Sequence, residues 1–361
     1  MKISTILIIS SVIIIIVSYM YYNNKNFYFT ELPPRNIPKL NCENIINTRL
    51  MEDFAKIDEN TIITGGANFL DLYATYSIYN PGYEFKQGTM HILDIKSKKF
   101  RDLKIKNFPA KLNFFPHGMK IFNKKYIYII NHTLNSKGGE RIEIFEIIKE
   151  NGMISYLNYI KSIKLPDEFI SITNNLAIVE EDDIFFSTSF VVPIPTIDNA
   201  NFFNKFIFFF LQKMNILLNL KWKYLYHYKN GKITKINKSN SWLNNGVAYD
   251  PINRYVFVAQ THENLVRVFK YEKNGDVNLV KDIYLGYKPD NLIYDEKDRI
   301  LSVGISGFGG YGGLAEIYVD KNLSFFIPYY DTINMTSASA MKIENKIYIV
   351  SPVVNHLLLC L

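Results

Sequence analysis

The sequence predicts an all-β fold, a β-propeller of six four-stranded blades. Six short apolar runs recur, Thr61–Gly65, Tyr126–Asn131, Ile184–Ser189, Tyr255–Gln260, Ile300–Gly304 and Ile347–Ser351, each reading as the end of a strand. They return at intervals of roughly 45 to 70 residues, the length of one four-stranded repeat. The polar residues suited to chemistry lie beside these runs, so a ring of blades gathers them near a shared axis.

Composition agrees. The 361 residues are 48% hydrophobic and 15% aromatic, enough to bury a large core, and one domain is expected over 42–361. The formal charge of +7 rests on lysines separated by Asn, Ile, Tyr and Phe. Without a sustained basic run this is a solvated surface, and no nucleic-acid partner is expected.

Ahead of the blades, Met1 and Lys2 precede an uncharged apolar stretch, Ile3–Tyr22, long enough to cross a bilayer. Residues 1–22 are therefore read as a hydrophobic helix. Ser10, Ser11 and Ser18 give no small-x-small cleavage site before the bulky Tyr19–Tyr22, which favours an uncleaved signal anchor over a removed peptide. Either outcome sends the remainder, through a Pro-rich linker over 23–41, to the secretory route, membrane-anchored or extracellular.

The two cysteines suit that compartment. Cys42 follows the linker and Cys360 is the penultimate residue, so a bond between them joins the chain ends. In the loop-closure model a bridge across so long a loop contributes about 4 to 5 kcal/mol. Two unrelated buried thiols are the other reading.

Polar pairs mark the starts of strands: Glu52-Asp53 in LMEDFAKI, Asn174-Asn175 in TNNLAIV, Asn245-Gly246 in NNGVAYD and Asp290-Asn291 in PDNLIYD. Adjacent acids on a regular strand face opposite sides, so Glu52 and Asp53 could serve two different ions, or one could face solvent. Carboxylates and amide oxygens without a Cys or His cluster favour calcium over zinc. Two histidines join them, His117 in FFPHGMKIF and His132 in YIYIINHT. Pro116 fixes the approach and Gly118 lets the backbone turn closely, so His117 reads as an aimed general base with His132 behind it to tune its basicity.

In this order, LMEDFAKI, FFPHGMKIF, YIYIINHT, TNNLAIV, NNGVAYDPINRYVFVAQ, PDNLIYD and IYIVSPVVNHLLLCL resemble the paraoxonase/arylesterase family of calcium-dependent six-bladed propeller hydrolases. The resemblance covers Cys42 to Leu361. It implies a retained hydrophobic N-terminus, a disulfide between the chain ends and two calcium ions on the propeller axis. The catalytic ion would take Glu52, Asn174, Asn245, Asp290 and Asn291; the structural ion would take Asp53, the Met119 carbonyl and Asn175. His117 and His132 would be the histidine dyad, and Asp290 could also serve as base or nucleophile. A gluconolactonase- or strictosidine-synthase-like propeller fits less well, because the two histidine motifs and the cysteine placement favour the paraoxonase pattern.

Three departures stand out. The family has Asp where this chain has Asn175, which removes a charge from the structural site. Phe190 and Val191 stand near the family's Asp-His pair, and Ile305-Ser306 replaces a Cys-His pair.

The apolar segment 201–228 is expected to begin as a canopy helix over the axis or to dip into a membrane surface, and 306–313, with five glycines, to be a loop on the same rim. Sequons at Asn237, Asn322 and Asn334 permit glycosylation, while Asn131 adjoins the dyad and is the least suitable acceptor. The resemblance thus implies a hydrolase of carboxylic esters, aryl esters or lactones, acting on a small-molecule substrate. The alternative is a non-enzymatic, calcium-stabilised propeller that binds a protein or lipid partner.

Overall fold

The computed structural model describes residues 37, 39–47, 49–67, 87–133, 139–166, 172–189, 207, 210–211, 214–215, 218, 220–307, 311–332 and 336–361. The expected N-terminal helix, Phe190, Val191 and Asn334 lie outside them. Among the described residues no helix is long and apolar enough to cross a membrane. Within 201–228, Ile207, Phe210, Leu211, Met214 and Asn215 are helical, whereas Leu225–Lys229 is already a strand.

Among the described residues, twenty-four strands form six antiparallel four-stranded blades. Their inner strands, from blade one to blade six, are Leu50–Asp58, Pro116–Phe122, Thr173–Glu180, Asn244–Asp250, Lys288–Asp295 and Ser339–Ile343, and each neighbours the next around a closed ring. The six apolar runs form the second strand of each blade: Thr61–Ala67, Tyr126–His132, Asp183–Thr188, Tyr255–Gln260, Ile300–Ser306 and Lys346–Val350. Both faces of a second strand meet another blade, so its sequence is continuously apolar rather than alternating. The core is accordingly divided into six clusters, one between each pair of adjacent blades. Outermost strands such as Lys99–Lys106 and Lys232–Lys235 are mostly polar and exposed.

The ring closes between the chain ends. Cys42–Ile46 supplies the outermost strand of blade six, antiparallel to His356–Cys360, with Cys42 opposite Cys360 and the two joined by a disulfide. Blades one and two are also tied at their rims by parallel pairing of Lys104–Lys106 with Tyr156–Asn158.

Five inner strands share an irregularity the sequence did not announce. Each inserts one extra residue against its second strand, between Met51 and Phe54, Pro116 and Met119, Thr173 and Leu176, Asn244 and Val247, and Pro289 and Leu292. These bulges bracket the pairs Glu52-Asp53, His117-Gly118, Asn174-Asn175, Asn245-Gly246 and Asp290-Asn291. The pairs thus lie inside strands, not ahead of them, and the bulge breaks the two-residue alternation. Glu52 and Asp53 are therefore both buried, and neither faces solvent.

The glycines have a related reason. A Cβ on Gly118 would come within 2.5 Å of the Asn174 carbonyl, and one on Gly246 within 2.4 Å of the Leu292 amide. Gly118 is thus required by the close approach of blade three rather than by a turn after His117. The expected loop over 306–313 is shorter than its glycines suggested, since Gly312 and Gly313 belong to the strand Tyr311–Tyr318.

Candidate active site on the propeller axis

The five bulges aim polar side chains at the centre of the ring. Glu52, His117, Asn174, Asn175, Asn245 and Asn291 are all buried, and Asp290 keeps partial exposure as a residue although its Oδ1 is sealed from solvent. Four oxygens here, Glu52 Oε2, Asn174 Oδ1, Asn245 Oδ1 and Asp290 Oδ1, are buried without a hydrogen-bond partner. Leaving one buried polar group unmade costs about 1–3 kcal/mol, and more when it is charged. Four such oxygens, from four different inner strands, fit a hard cation. Two are carboxylate and two are amide oxygens, and among the described residues no group of three or more His, Cys, Asp or Glu forms a metal cluster.

Electrostatics tell the same story. Burial, and then the nearby Glu52 carboxylate, pushes the Asp290 carboxyl well above its ordinary range, against the opposing pull of the Asn245 amide. Two carboxylates forced together in a dry site are a place for positive charge. Asn291 orients one of them, because its Nδ2 donates to Glu52 Oε1 at 2.8 Å while its Oδ1 accepts from Asn175 Nδ2 at 2.6 Å. The Asn291 oxygen is thereby used, so Asn291 joins this set as an orienting residue rather than as an open donor.

Beside the open oxygens runs a histidine relay. His117 Nδ1 lies 2.7 Å from His132 Nε2, and His132 Nδ1 lies 2.8 Å from Glu140 Oε2. A carboxylate only accepts, so His132 must donate from Nδ1, which leaves its Nε2 to accept from His117 Nδ1–H. The remaining His117 nitrogen, Nε2, then faces the axis, 3.2 Å from Glu52 Oε1. Burial alone would lower the His117 pKa, but the charge and hydrogen bond of Glu52 outweigh it and the net shift is upward. Glu140 was not anticipated. It sits opposite His132 in the strand register and also accepts from the Thr173 amide at 2.9 Å, tying blade two to blade three.

Asp53 stands in a different environment. Its Oδ1 accepts from Phe54 N at 2.9 Å and Ser339 Oγ at 2.6 Å. Its Oδ2 accepts from Met119 N at 3.0 Å, Asn175 Nδ2 at 3.1 Å and Lys120 Nζ at 3.3 Å. Lys120 Nζ also donates to the Met119 carbonyl at 3.1 Å. The residues expected to hold a structural ion are therefore engaged with one another. Neither Lys120 nor Ser339 stood out in the sequence, since a single Lys or Ser within a strand carries no signature.

The remaining expectations fall away from the axis or outside it. Ile305 is buried in the core between blades four and five. Asn131 is buried, with its amide bonded to Phe115 N, Asn113 O and Glu143, which leaves no room for a glycan. Asn237 and Asn322 are exposed.

A six-bladed propeller with hard oxygen donors and a histidine relay on its axis defines a class, and comparison with known proteins narrows it. A model of the Arylesterase family matches residues 58–306, and the chain belongs to that family. It is 24% identical over 256 residues to human serum paraoxonase/lactonase 3, covering 69% of this chain and 66% of that protein. Against serum paraoxonase/arylesterase 2 of Gallus gallus it is 24% identical over 218 residues, 58% of this chain and 54% of that protein. The chain thus spans less than two thirds of the length of either relative. Among solved structures, a gluconolactonase from Xanthomonas campestris superposes with a TM-score of 0.52 at 13% identity, covering 91% of this chain and 95% of that one. A luciferin-regenerating enzyme gives 0.52 at 12% identity, with 89% and 95% covered. Both share the fold.

Proposed function

We propose that this chain is a calcium-dependent hydrolase of carboxylic esters, with aryl esters or lactones as substrates. The observation that carries the reading is the set of four buried, unpartnered oxygens beside His117. Family membership, and the esterase and lactonase names of its relatives, support it.

Glu52, Asn174, Asn245 and Asp290 would hold one calcium ion. Bound there, calcium supplies a Lewis acid that polarises an ester carbonyl and stabilises charge on its oxygen. The chain's own residues manage the proton. Glu140 holds His132, and His132 holds His117, in the tautomer whose Nε2 lone pair faces the axis. A water approaching the carbonyl gives its proton to that Nε2, where the Glu52 carboxylate stabilises the imidazolium. As the water oxygen bonds to the carbonyl carbon and the ester C–O bond breaks, the same proton passes to the departing alkoxide or phenoxide. The buried surround keeps other water from this exchange.

The disulfide, and the serum origin named for the relatives, support a secretory route with Asn237, Asn322 and Asn334 as glycan acceptors. Residues 1–22, together with lipid contact through 201–228, would hold the chain at a membrane.

The test is hydrolysis of phenyl acetate and of a medium-chain lactone by the full-length chain, with calcium and with excess chelator, beside Asp290→Ala. Turnover that needs calcium and is absent from the variant is expected, and the two substrates rank the classes. A folded, calcium-binding chain without turnover would move the assignment to a binding propeller.

A further inference from the structure

We propose that Lys120 is a built-in replacement for the second cation of this propeller, so that the chain holds one calcium ion on its axis and not two. The inference rests on the calcium reading for the first ion but on a separate set of residues for the second.

Asp53, Asn175 and the Met119 carbonyl are the residues that would have to bind a second ion. Asp53 receives five donors on two oxygens, which accounts for about all four of its lone-pair positions. Lys120 Nζ reaches two of the three groups at once, Asp53 Oδ2 and the Met119 carbonyl, and is largely buried, with 17% of its side chain exposed. It thus puts a positive charge against the oxygens a metal ion would otherwise join.

Asn175 completes the replacement. Its Oδ1 accepts from the Leu176 amide at 2.8 Å, and an amide N–H needs an oxygen as partner. That fixes the other end of the side chain, the NH2 group, toward Asp53 Oδ2 and Asn291 Oδ1. A donor aimed into the position repels a cation.

Charge closes the argument. One carboxylate, Asp53, meets one ammonium, Lys120, and the pocket is neutral; a divalent ion placed with Asp53 and the neutral Asn175 would leave excess positive charge in a dry site. A lysine at 120 and an amide at 175 each make sense of the other. The contrast with the open set is sharp, since there every orphaned atom is an oxygen and the neighbouring carboxylates repel.

The test counts ions and measures melting on the full-length chain in detergent, by calorimetric calcium titration after chelation and by thermal unfolding. The wild type is expected to bind one calcium per chain. Lys120→Met should melt roughly 5 °C lower in chelator, because it strands the buried Asp53 charge. Lys120→Met combined with Asn175→Asp should bind a second calcium and regain the lost melting temperature only when calcium is present. Two calcium ions in the wild type, or an unchanged melting temperature in Lys120→Met, overturn the inference while leaving the hydrolase reading in place. No calcium bound by the wild type overturns the hydrolase reading and, with it, the count of one ion proposed here.

Discussion

Glu52 and Asp53 are neighbours in the chain, share one bulge and are both buried, yet one ends in an open pocket and the other in a closed one. Glu52 faces a ring of oxygens that lack donors, whereas Asp53 is met by donors from blades one, two, three and six. Donor supply, rather than carboxylate identity, separates an open set of oxygens from a structural joint. The open set costs stability, because its oxygens are held apart from water and left unmatched by the ring around them.

Charge removal should split the two regions most widely. Asp290→Asn is expected to lower ester turnover at least 100-fold, since the oxygens lose half their negative charge. In chelator the same change should raise the melting temperature at neutral pH. The sign follows from the upward shift of the Asp290 carboxyl by burial and by Glu52. An acid whose folded pKa lies above its unfolded value weakens the fold as pH rises from the ordinary carboxylate range through the folded pKa. The calcium-free variant should therefore lose that decline. Asp53→Asn should do the reverse, unfolding the ring more easily by about 3–5 kcal/mol with or without chelator, because Lys120 is left unpaired. Equal stability changes in the two variants would erase the distinction between the regions.

Gly118→Ala strikes the strand that serves both. A methyl there meets the Asn174 carbonyl at 2.5 Å and the Asn175 Cα at 2.8 Å, so the inner strands of blades two and three must part. A loss of about 1–3 kcal/mol is expected, accompanied by a fall in turnover as His117 and Asn174 separate. Denaturant melts and rates on one preparation measure both. Wild-type turnover in a destabilised variant would show that the two strands need not touch for the oxygen set to form.

Glu140→Gln sharpens the comparison from the relay side. The amide keeps the shape but no longer compels His132 to donate from Nδ1, so the tautomer of His117 is no longer fixed. Turnover should fall roughly 10- to 100-fold with calcium affinity unchanged. A parallel drop in calcium affinity would place Glu140 with the oxygen set instead.

Much of this was legible in the sequence, for physical reasons. Second strands enclosed by blades must be continuously apolar, so runs such as Tyr255–Gln260 announced the blade count. Polar pairs ahead of apolar residues announced the axis. The bulges were hidden, because they depend on a slip between two strands and leave only the pair itself as a trace. Glu140 was hidden because its link to His132 spans a hairpin and exists only in cross-strand register. Lys120 was hidden because a lysine beside a methionine reads as surface charge until Asp53, 67 positions away, is brought to its ammonium. Asn175 was read as a missing charge, and the direction of its NH2 group needed the Leu176 amide to define it.

A last comparison uses a third carboxylate, far from the axis, as a control. Asp183, at the start of the second strand of blade three, is held by His227 Nε2 at 2.6 Å, Lys229 Nζ at 2.7 Å and Tyr271 OH at 2.7 Å. Burial would raise its pKa, but these donors together lower it to about 2. A depressed acid adds stability that is complete above its unfolded pKa, near 4, and is lost as pH falls toward 2. Lys229 is half exposed, so water screens part of the effect and the contribution should be roughly 1–2 kcal/mol. Asp183→Asn is thus expected to lower the melting temperature at pH 7 by a few degrees, to flatten the acid limb between pH 4 and 2, and to leave calcium binding and turnover at wild-type levels. Like Asp53 it is a saturated carboxylate, and like Asp53 it should answer in stability. Loss of turnover in this variant would mean that saturation by donors does not distinguish a structural carboxylate from a working one in this ring.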